Sequence, residues 1–463
     1  MTERFDIGII GGGPGGYVAA IRAAQLGARV ALVERERLGG VCLNRGCIPT
    51  KAMTSSIELL MEMEKAEEFG ILVGEPGFDF SRMMARKDDV VERLVSGVEK
   101  LMKAHKVQVI AGHGELISPR RIRVSGGSPQ EVEAEKIIIA TGSVPAKPPV
   151  PGLGLHGVIT SDEMVALEEP PQDLVVVGGG VIGVEFASIF NALGTKVTII
   201  EMLPALLPPV DEELALRYLH LLRRQGVEVH LRSPLEEIRE TEGLLEVVYE
   251  GPKGEGMVQT EMVLVSTGRA PYTNGLNLQE VGVKAEEGAI AVDEHMATNV
   301  CGIYAIGDVT GGWMLAHVAS REGEVAVEHA LGRDSVMEYK AVPNCVFTLP
   351  EIAGVGVTEQ EAKEQNIPYR KSRFPFNVSG RALAMGQATG QVKMICQRDS
   401  GEILGVHIMG PHATDMIAEG ALALQSGATA EDIIRTIHAH PTLPEAVREA
   451  ALGQVDGAIH IVS

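Results

Sequence analysis

The chain has 463 residues, is 45% hydrophobic, and carries 62 acidic against 41 basic side chains for a formal charge of −21. That balance argues against nucleic acid or an anionic membrane surface as a partner, and the length exceeds what one hydrophobic core organises, so three or four domains are expected. The 5 cysteines are too sparse, and odd in number, for an extracellular disulfide framework; a close pair among them points to redox or metal chemistry.

The opening MTERFDIGIIGGG enters a strand at once and shows no signal or transit pattern. The most apolar stretch, Leu174 to Phe190, is interrupted by Gly178-Gly179-Gly180 and Glu185, which argues against a membrane span. A soluble, cytoplasmic chain is expected.

Asp6 to Ile10 predicts a strand, GGGPGG a tight turn, YVAAIRAAQLG a helix and ARVALVE a second strand. In that βαβ context Gly11, Gly13 and Gly16 fit the dinucleotide fingerprint. The first glycine permits the turn, the second lets backbone approach a pyrophosphate, and the third allows helix and strand to pack closely. The helix N-terminus then offers free N–H groups to phosphate. Glu34 closes the second strand, where a carboxylate can accept bonds from a ribose.

Cys42 and Cys47 follow within LGGVCLNRGCIPTK, Leu38 to Lys51. On an unbroken helix their Cα atoms would lie roughly 8–9 Å apart, beyond the ~7 Å reach of a disulfide. A bridge between them therefore requires an irregular backbone, for which Gly46 and Pro49 are suited. Two unrelated buried thiols are the alternative. Metal is the weaker chemistry, because neither a second cysteine pair nor a nearby histidine completes a tetrahedral set.

Residues 52–106 have helical spacing, with a Met-rich face suited to packing, and 107–140 alternate as strands. KIIIATGS ends this part in a small-residue turn containing Gly142, and the proline-rich SVPAKPPVPG, Ser143 to Gly152, is expected to link two domains. The opening grammar then returns in QDLVVVGGGVIGVEFASIFNALGTKVTIIE, with Gly178, Gly180 and Gly183, and Glu201 at the interval that separates Glu34 from Gly11. A carboxylate there pairs with a free ribose 2′-hydroxyl and repels a 2′-phosphate, so NAD is expected over NADP. STGRAPYTNG, containing Gly268, ends this second unit. Asp308 lies in YAIGDV, between an apolar strand and a Gly-Gly turn, and reads as a cofactor contact or an Asx-turn residue. In IHAHPTLPEA, His440 and Glu445 are spaced so that a carboxylate can reach back to an imidazole, the alternative being a surface turn and helix cap.

Two fingerprints, the Cys42–Cys47 segment, YAIGDV and HPTLPEA together resemble the flavin-dependent pyridine nucleotide–disulfide oxidoreductases from about residue 5 to 460. The resemblance implies an α/β fold: an FAD-binding Rossmann-like domain over 1–149, an NAD-binding one over 150–275, a central domain over 276–340 completing the FAD site, and an α+β dimerisation domain over 341–463. FAD would be held by Gly11, Gly13, Gly16, Glu34, Gly142 and Asp308, and NAD by Gly178, Gly180, Gly183, Glu201 and Gly268. Lys51 and Glu185 resemble the pair beside the flavin ring.

Within the family the forms CLNRGCIPTK, MLAHVASREG and IHAHPTLPEA are nearest to members that oxidise dihydrolipoyl groups with NAD. In those terms Cys42 exchanges with the substrate and Cys47 faces the flavin. His440, supplied by a partner subunit, is the base, and Glu445 orients it. The implied partners are a second copy of the chain, the lipoyl domain of an acyltransferase or glycine cleavage carrier protein, and a 2-oxo acid dehydrogenase complex. Val41, where relatives commonly have Thr, and Leu349, where they have a polar residue, depart from the pattern. Glutathione and mercuric reductases, or a principally docking role as a subunit of a 2-oxo acid dehydrogenase complex, are the alternatives; the mercuric reductases' extra C-terminal cysteine pair does not occur in AIHIVS.

Overall fold

A computed structural model describes residues 4–462; residues 1–3 and 463, the outer ends of the first and last expected domains, lie outside the described residues. The first unit is built on β1 (Arg4–Ile10), α1 (Pro14–Gln25) and β2 (Val30–Glu34), followed by α2 (Gly40–Arg45), α3 (Cys47–Glu64) and α4 (Phe80–Ala104). It is completed by β3 (Gln108–Ala111), β4 (His113–Ser118), β5 (Arg121–Ser125) and β6 (Gln130–Ile139), in the order β3-β2-β1-β6-β5-β4. β1 is central and parallel to both neighbours, with Ile7 opposite Val30 on one side and Lys136 on the other. Its second half, Ile7 to Ile10, is covered on both faces, which explains the apolar run there.

β7 (Ser143–Pro145) leads to the second unit: β8 (Val158–Ile159), α5 (Ser161–Met164), β9 (Asp173–Val177), α6 (Val181–Ala192), β10 (Lys196–Ile200), α7 (Glu212–Arg224) and β11 (Glu228–His230). An antiparallel layer of β12 (Leu235–Thr241), β13 (Leu244–Gly251) and β14 (Gly254–Thr260) precedes β15 (Met262–Val265). The parallel sheet runs β11-β10-β9-β15-β8. β16 (Arg269–Pro271) then returns antiparallel to β7, so the chain enters and leaves this unit on adjacent strands.

After the hairpin β17 (Ala285–Glu286) and β18 (Ala289–Ile290), β19 (Ile303–Ala305) adds in parallel to β6, and α8 (Ala316–Ala330) packs on α1. The helices meet closely: a Cβ on Gly323 would lie 2.7 Å from the Gly15 carbonyl. Ile303 and Ala305 share a core with Ile137 and Ile139, and Val325 and Ala326 with Ala19 and Ala20. The 276–340 stretch therefore adds to the hydrophobic core of the first unit.

The last unit is an antiparallel sheet ordered β20 (Asn344–Val346), β21 (Glu351–Gly356), β24 (Ile403–Gly410), β23 (Gln391–Gln397) and β22 (Tyr369–Pro375). Its helices are α9 (Glu359–Glu364), α10 (Gly380–Ala384), α11 (Ala413–Gln425), α12 (Ala430–Arg435) and α13 (Glu445–Leu452). Among the described residues, no helix is long and apolar enough to cross a membrane.

A buried charge cluster joins this sheet to the second unit. Lys393 on β23 and Asp211, which caps α7, are both 0% exposed; the Lys393 ammonium lies 2.7 and 2.9 Å from the Asp211 oxygens and 2.7 Å from Glu359. Burial opposes ionisation of Asp211, but His407 and Lys393 hold its carboxyl below the usual range; Glu359 is held lower still, against its own burial, by Lys363, Lys371 and Lys393. Because both folded values lie under the unfolded ones, the stabilisation is complete above about pH 5 and is lost as pH falls through the folded values. Lys393→Met, which leaves Asp211 buried without its cation while Glu359 keeps Lys363 and Lys371, should cost about 3–5 kcal/mol in urea unfolding at pH 7. An unchanged urea midpoint would show that the cluster does not hold the units together.

Candidate active site

The two Gly-rich turns have nearly the same backbone. Gly11 and Gly178 sit at φ 106° and 107°, a region closed to most side chains. The third glycine of each set lies under its turn: a Cβ on Gly16 would fall 1.9 Å from the Gly11 carbonyl, and one on Gly183 2.2 Å from the Gly178 carbonyl. α1 and α6 start at Gly13 and Gly180 without a side-chain cap, leaving their first N–H groups for a ligand. Each acid accepts from its own turn. Gly12 N–H donates to Glu34 at 2.6 Å, and Gly179 N–H to Glu201 at 2.5 Å, with Leu203 N–H on the second Glu201 oxygen at 2.6 Å.

The cysteine segment is stacked on the first turn. Gly39 N–H donates to the Gly12 carbonyl at 2.8 Å, and a Cβ on Gly40 would meet Gly13 Cα at 2.7 Å. α2 ends at Arg45, Gly46 breaks the helix at φ −131° and ψ −108°, and α3 begins at Cys47. This is the irregularity that the cysteine spacing requires. A Cβ on Gly46 would lie 3.0 Å from the Val41 carbonyl, so the break favours glycine.

The break brings the two thiols within hydrogen-bonding reach, and the charge they share is uneven. The hydrogen bond from Cys42 is the largest influence on Cys47; burial and Glu185 oppose it, Lys51 assists, and the Cys47 thiol is lowered below the ordinary thiol range. Cys42 moves the other way, raised by its bond to Cys47 and by burial. Lys51 Nζ lies 2.8 and 3.1 Å from the Glu185 carboxylate, and Glu185, 4% exposed, also accepts from Phe347 N–H at 2.8 Å. The ammonium stands 4.4 Å from the Phe347 ring centroid. One pair thus ties together the first, second and last units.

A cavity of about 1500 Å³ runs through all of this. Its wall includes Gly11, Gly13, Glu34, Cys42, Cys47, Lys51, Gly142, Asp308, Gly178, Gly180, Glu185, Glu201 and Gly268, with Val41 beside the first cysteine. Both glycine-rich turns and both thiols therefore open on one space. Uncapped helix N-termini, glycines that admit close backbone approach and acids at the strand ends fit two dinucleotides, FAD over the first turn and NAD over the second.

His440 and Glu445 do not line this cavity. His440 Nδ1 is 2.8 Å from a Glu445 oxygen, Thr442 N–H donates to the other at 2.8 Å, and the His440 side chain is 80% exposed. Burial opposes ionisation of Glu445, but the Thr442 amide and His440 keep its carboxyl below the ordinary value. The residues that sequence reasoning missed are Gly40, Ser143, Arg269 and Phe347. Gly40 and the GRAP run that begins at Gly268 carried a local signal; Phe347, reached only through the fold, carried none.

In the reduced protein, iodoacetamide should label Cys47 with a rate that rises through a midpoint below the ordinary thiol value, with Cys42 titrating at higher pH. Lys51→Met should move that midpoint upward. A Cys47 midpoint at or above the ordinary thiol value, about 8.5, would contradict the assigned electrostatics.

Residues 5–323 match the pyridine nucleotide-disulphide oxidoreductase family model, and residues 342–451 match the dimerisation domain of the same family. The chain is 42% identical to the mitochondrial dihydrolipoyl dehydrogenase of Pisum sativum, over 99% of this chain and 93% of that one. It is 42% identical to a dihydrolipoyl dehydrogenase of Bacillus subtilis (strain 168), over 99% and 100%. Among solved structures, LpdA from Mycobacterium tuberculosis superposes with a TM-score of 0.90 at 30% identity, covering 97% of this chain and 99% of the other. A nucleotide cavity that opens on a paired cysteine segment, and family matches that take in nearly the whole chain, lead to one conclusion: the chain belongs to the pyridine nucleotide-disulphide oxidoreductases.

Proposed function

We propose that the enzyme oxidises dihydrolipoyl groups to their disulfide and passes the electrons to NAD through FAD. The observation that carries this reading is that Cys42 and Cys47, on either side of the Gly46 break, share one cavity wall with both glycine-rich turns. The names of its full-length relatives, dihydrolipoyl dehydrogenases, supply the substrate class.

In this reading the resting Cys42–Cys47 disulfide is attacked at Cys42 by a substrate thiolate, because the thiolate is the nucleophile. The S–S bond breaks and Cys47 leaves as a thiolate, stabilised by its neighbours and by Lys51. The second substrate thiol then attacks the mixed disulfide, releasing the oxidised lipoyl ring and leaving Cys42 as a thiol. His440 takes the proton of the attacking thiol, the proton of the second substrate thiol ends on Cys42, and Glu445 holds the imidazole in place. Bound over the first turn, FAD would accept the electron pair and deliver it as hydride to NAD. Glu185 keeps the Lys51 ammonium at the Cys47 end of the cavity, and Glu201 selects NAD by leaving no room for a 2′-phosphate charge.

The His440–Glu445 pair is exposed, stands outside the cavity of its own chain and falls within the dimerisation-domain match. A homodimer in which each chain completes the other's site accounts for all three facts. The lipoyl substrate would arrive on the lipoyl domain of an acyltransferase or glycine cleavage carrier protein, within a 2-oxo acid dehydrogenase assembly. The bacterial relatives support a cytoplasmic setting.

Purified holoenzyme should form NADH from dihydrolipoamide and NAD, and far less product with NADP or with glutathione as the thiol. Absence of NADH would refute the proposal. His440→Ala should slow the dihydrolipoamide half-reaction by about 10²- to 10⁴-fold with FAD still bound; undiminished turnover would remove His440 from the role of base.

A further inference from the structure

Asp308 is held from behind by a residue that belongs to neither fingerprint. Ser143 Oγ donates to Asp308 Oδ2 at 2.5 Å, Arg269 Nε donates to Ser143 Oγ at 2.7 Å, and Arg269 Nη2 donates to the Ser143 carbonyl at 2.9 Å. A serine hydroxyl has one proton, so by accepting from Arg269 it is obliged to direct that proton at the carboxylate. The Arg269 side chain is only 13% exposed and its Nε lies 4.0 Å from Asp308, which adds a direct attraction.

The topology explains why these three residues meet. Ser143 opens β7, where the chain leaves the first unit; Arg269 opens β16, where it leaves the second; the strands pair with Arg269 opposite Pro145 and Pro271 opposite Ser143. Asp308 arrives on the turn after β19, which the β6 edge carries to the same end of the sheet. All three line the cavity. The guanidinium fork suits the task because it reaches the hydroxyl and the carbonyl of one residue together, which a lysine cannot do.

We propose that Arg269 is a positioning residue for the flavin site. Acting through Ser143, it commits Asp308 Oδ2 and presents Oδ1 to a ribityl hydroxyl, and so ties the seat of FAD to the exit strand of the NAD unit. The proposal rests on the reading of this cavity as a flavin and NAD site.

A double-mutant cycle read in FAD affinity tests it. Arg269→Gln and Ser143→Ala should each weaken FAD binding about tenfold, the worth of one charge-assisted bond. The double variant should lose no more than either single one, because both break the same relay. Ser143→Thr, which keeps a hydroxyl, should restore binding, and Arg269→Lys should not. Should Arg269→Gln fail to fold, the Ser143→Ala and Ser143→Thr pair still decides. Unchanged affinity in the single variants, a double variant that loses about a hundredfold, or no rescue by Ser143→Thr would overturn the relay. Wild-type protein that takes up no FAD would overturn the flavin reading, and the proposal with it.

Discussion

The helix break at Gly46 is the constraint on which the site depends. A continuous helix from Gly40 to Glu64 would hold Cys42 and Cys47 too far apart for their sulfurs to share a bond or a proton. With the break, α2 ends and α3 begins at a corner between the two cysteines, and the thiols interact across it. The corner is supported from both sides. Thr50 Oγ1 donates to the Gly46 carbonyl at 2.7 Å, and the start of α2 lies against Gly13 with no space for a side chain at Gly40. The thiol pair thus inherits its position from the nucleotide turn, and any group seated on that turn is presented to the sulfurs without further adjustment.

Electrostatics then separates the two sulfurs. Lys51 is one helical turn beyond Cys47 on α3, and its ammonium favours the thiolate; Glu185 restrains that effect while holding the ammonium in place. Since Glu185 also takes the Phe347 amide, the charge next to the sulfur is set by three parts of the chain at once. The Lys393 cluster adds a second fixed joint between the second unit and the last. These joints together make the cavity a stiff space whose opposite walls belong to different units, as a reaction that passes electrons across a bound group needs.

Much of this was legible in the sequence, and what was not has a physical reason. The two βαβ units are local: strand, glycines, helix and terminal acid lie within about 30 residues, and the first and third glycines of each set answer a steric demand of their own turn. The need for a break between Cys42 and Cys47 follows from helix geometry alone. Lys51 and Glu185 are 134 positions apart and could be paired beforehand only through the family resemblance. SVPAKPPVPG reads as a linker, yet its first residues form β7, because the partner strand β16 stands far along the chain. The 276–340 stretch reads as a separate region, since nothing local reveals that β19 completes the sheet of the first unit. Long-range pairing, which leaves no local periodicity, accounts for each omission.

The central claim is that Cys42 and Cys47 carry the electrons between a dithiol and the nucleotides. It is tested most directly by counting thiols: dihydrolipoamide is titrated anaerobically into the holoenzyme, and alkylated cysteines are located by mass spectrometry before and after addition of NAD. The account predicts that reduction makes Cys42 and Cys47 newly alkylatable, leaves Cys301, Cys345 and Cys396 unchanged, and is reversed by NAD with one NADH formed per pair. New labelling confined to the other three cysteines, or NADH formed without any change at Cys42 and Cys47, would contradict it.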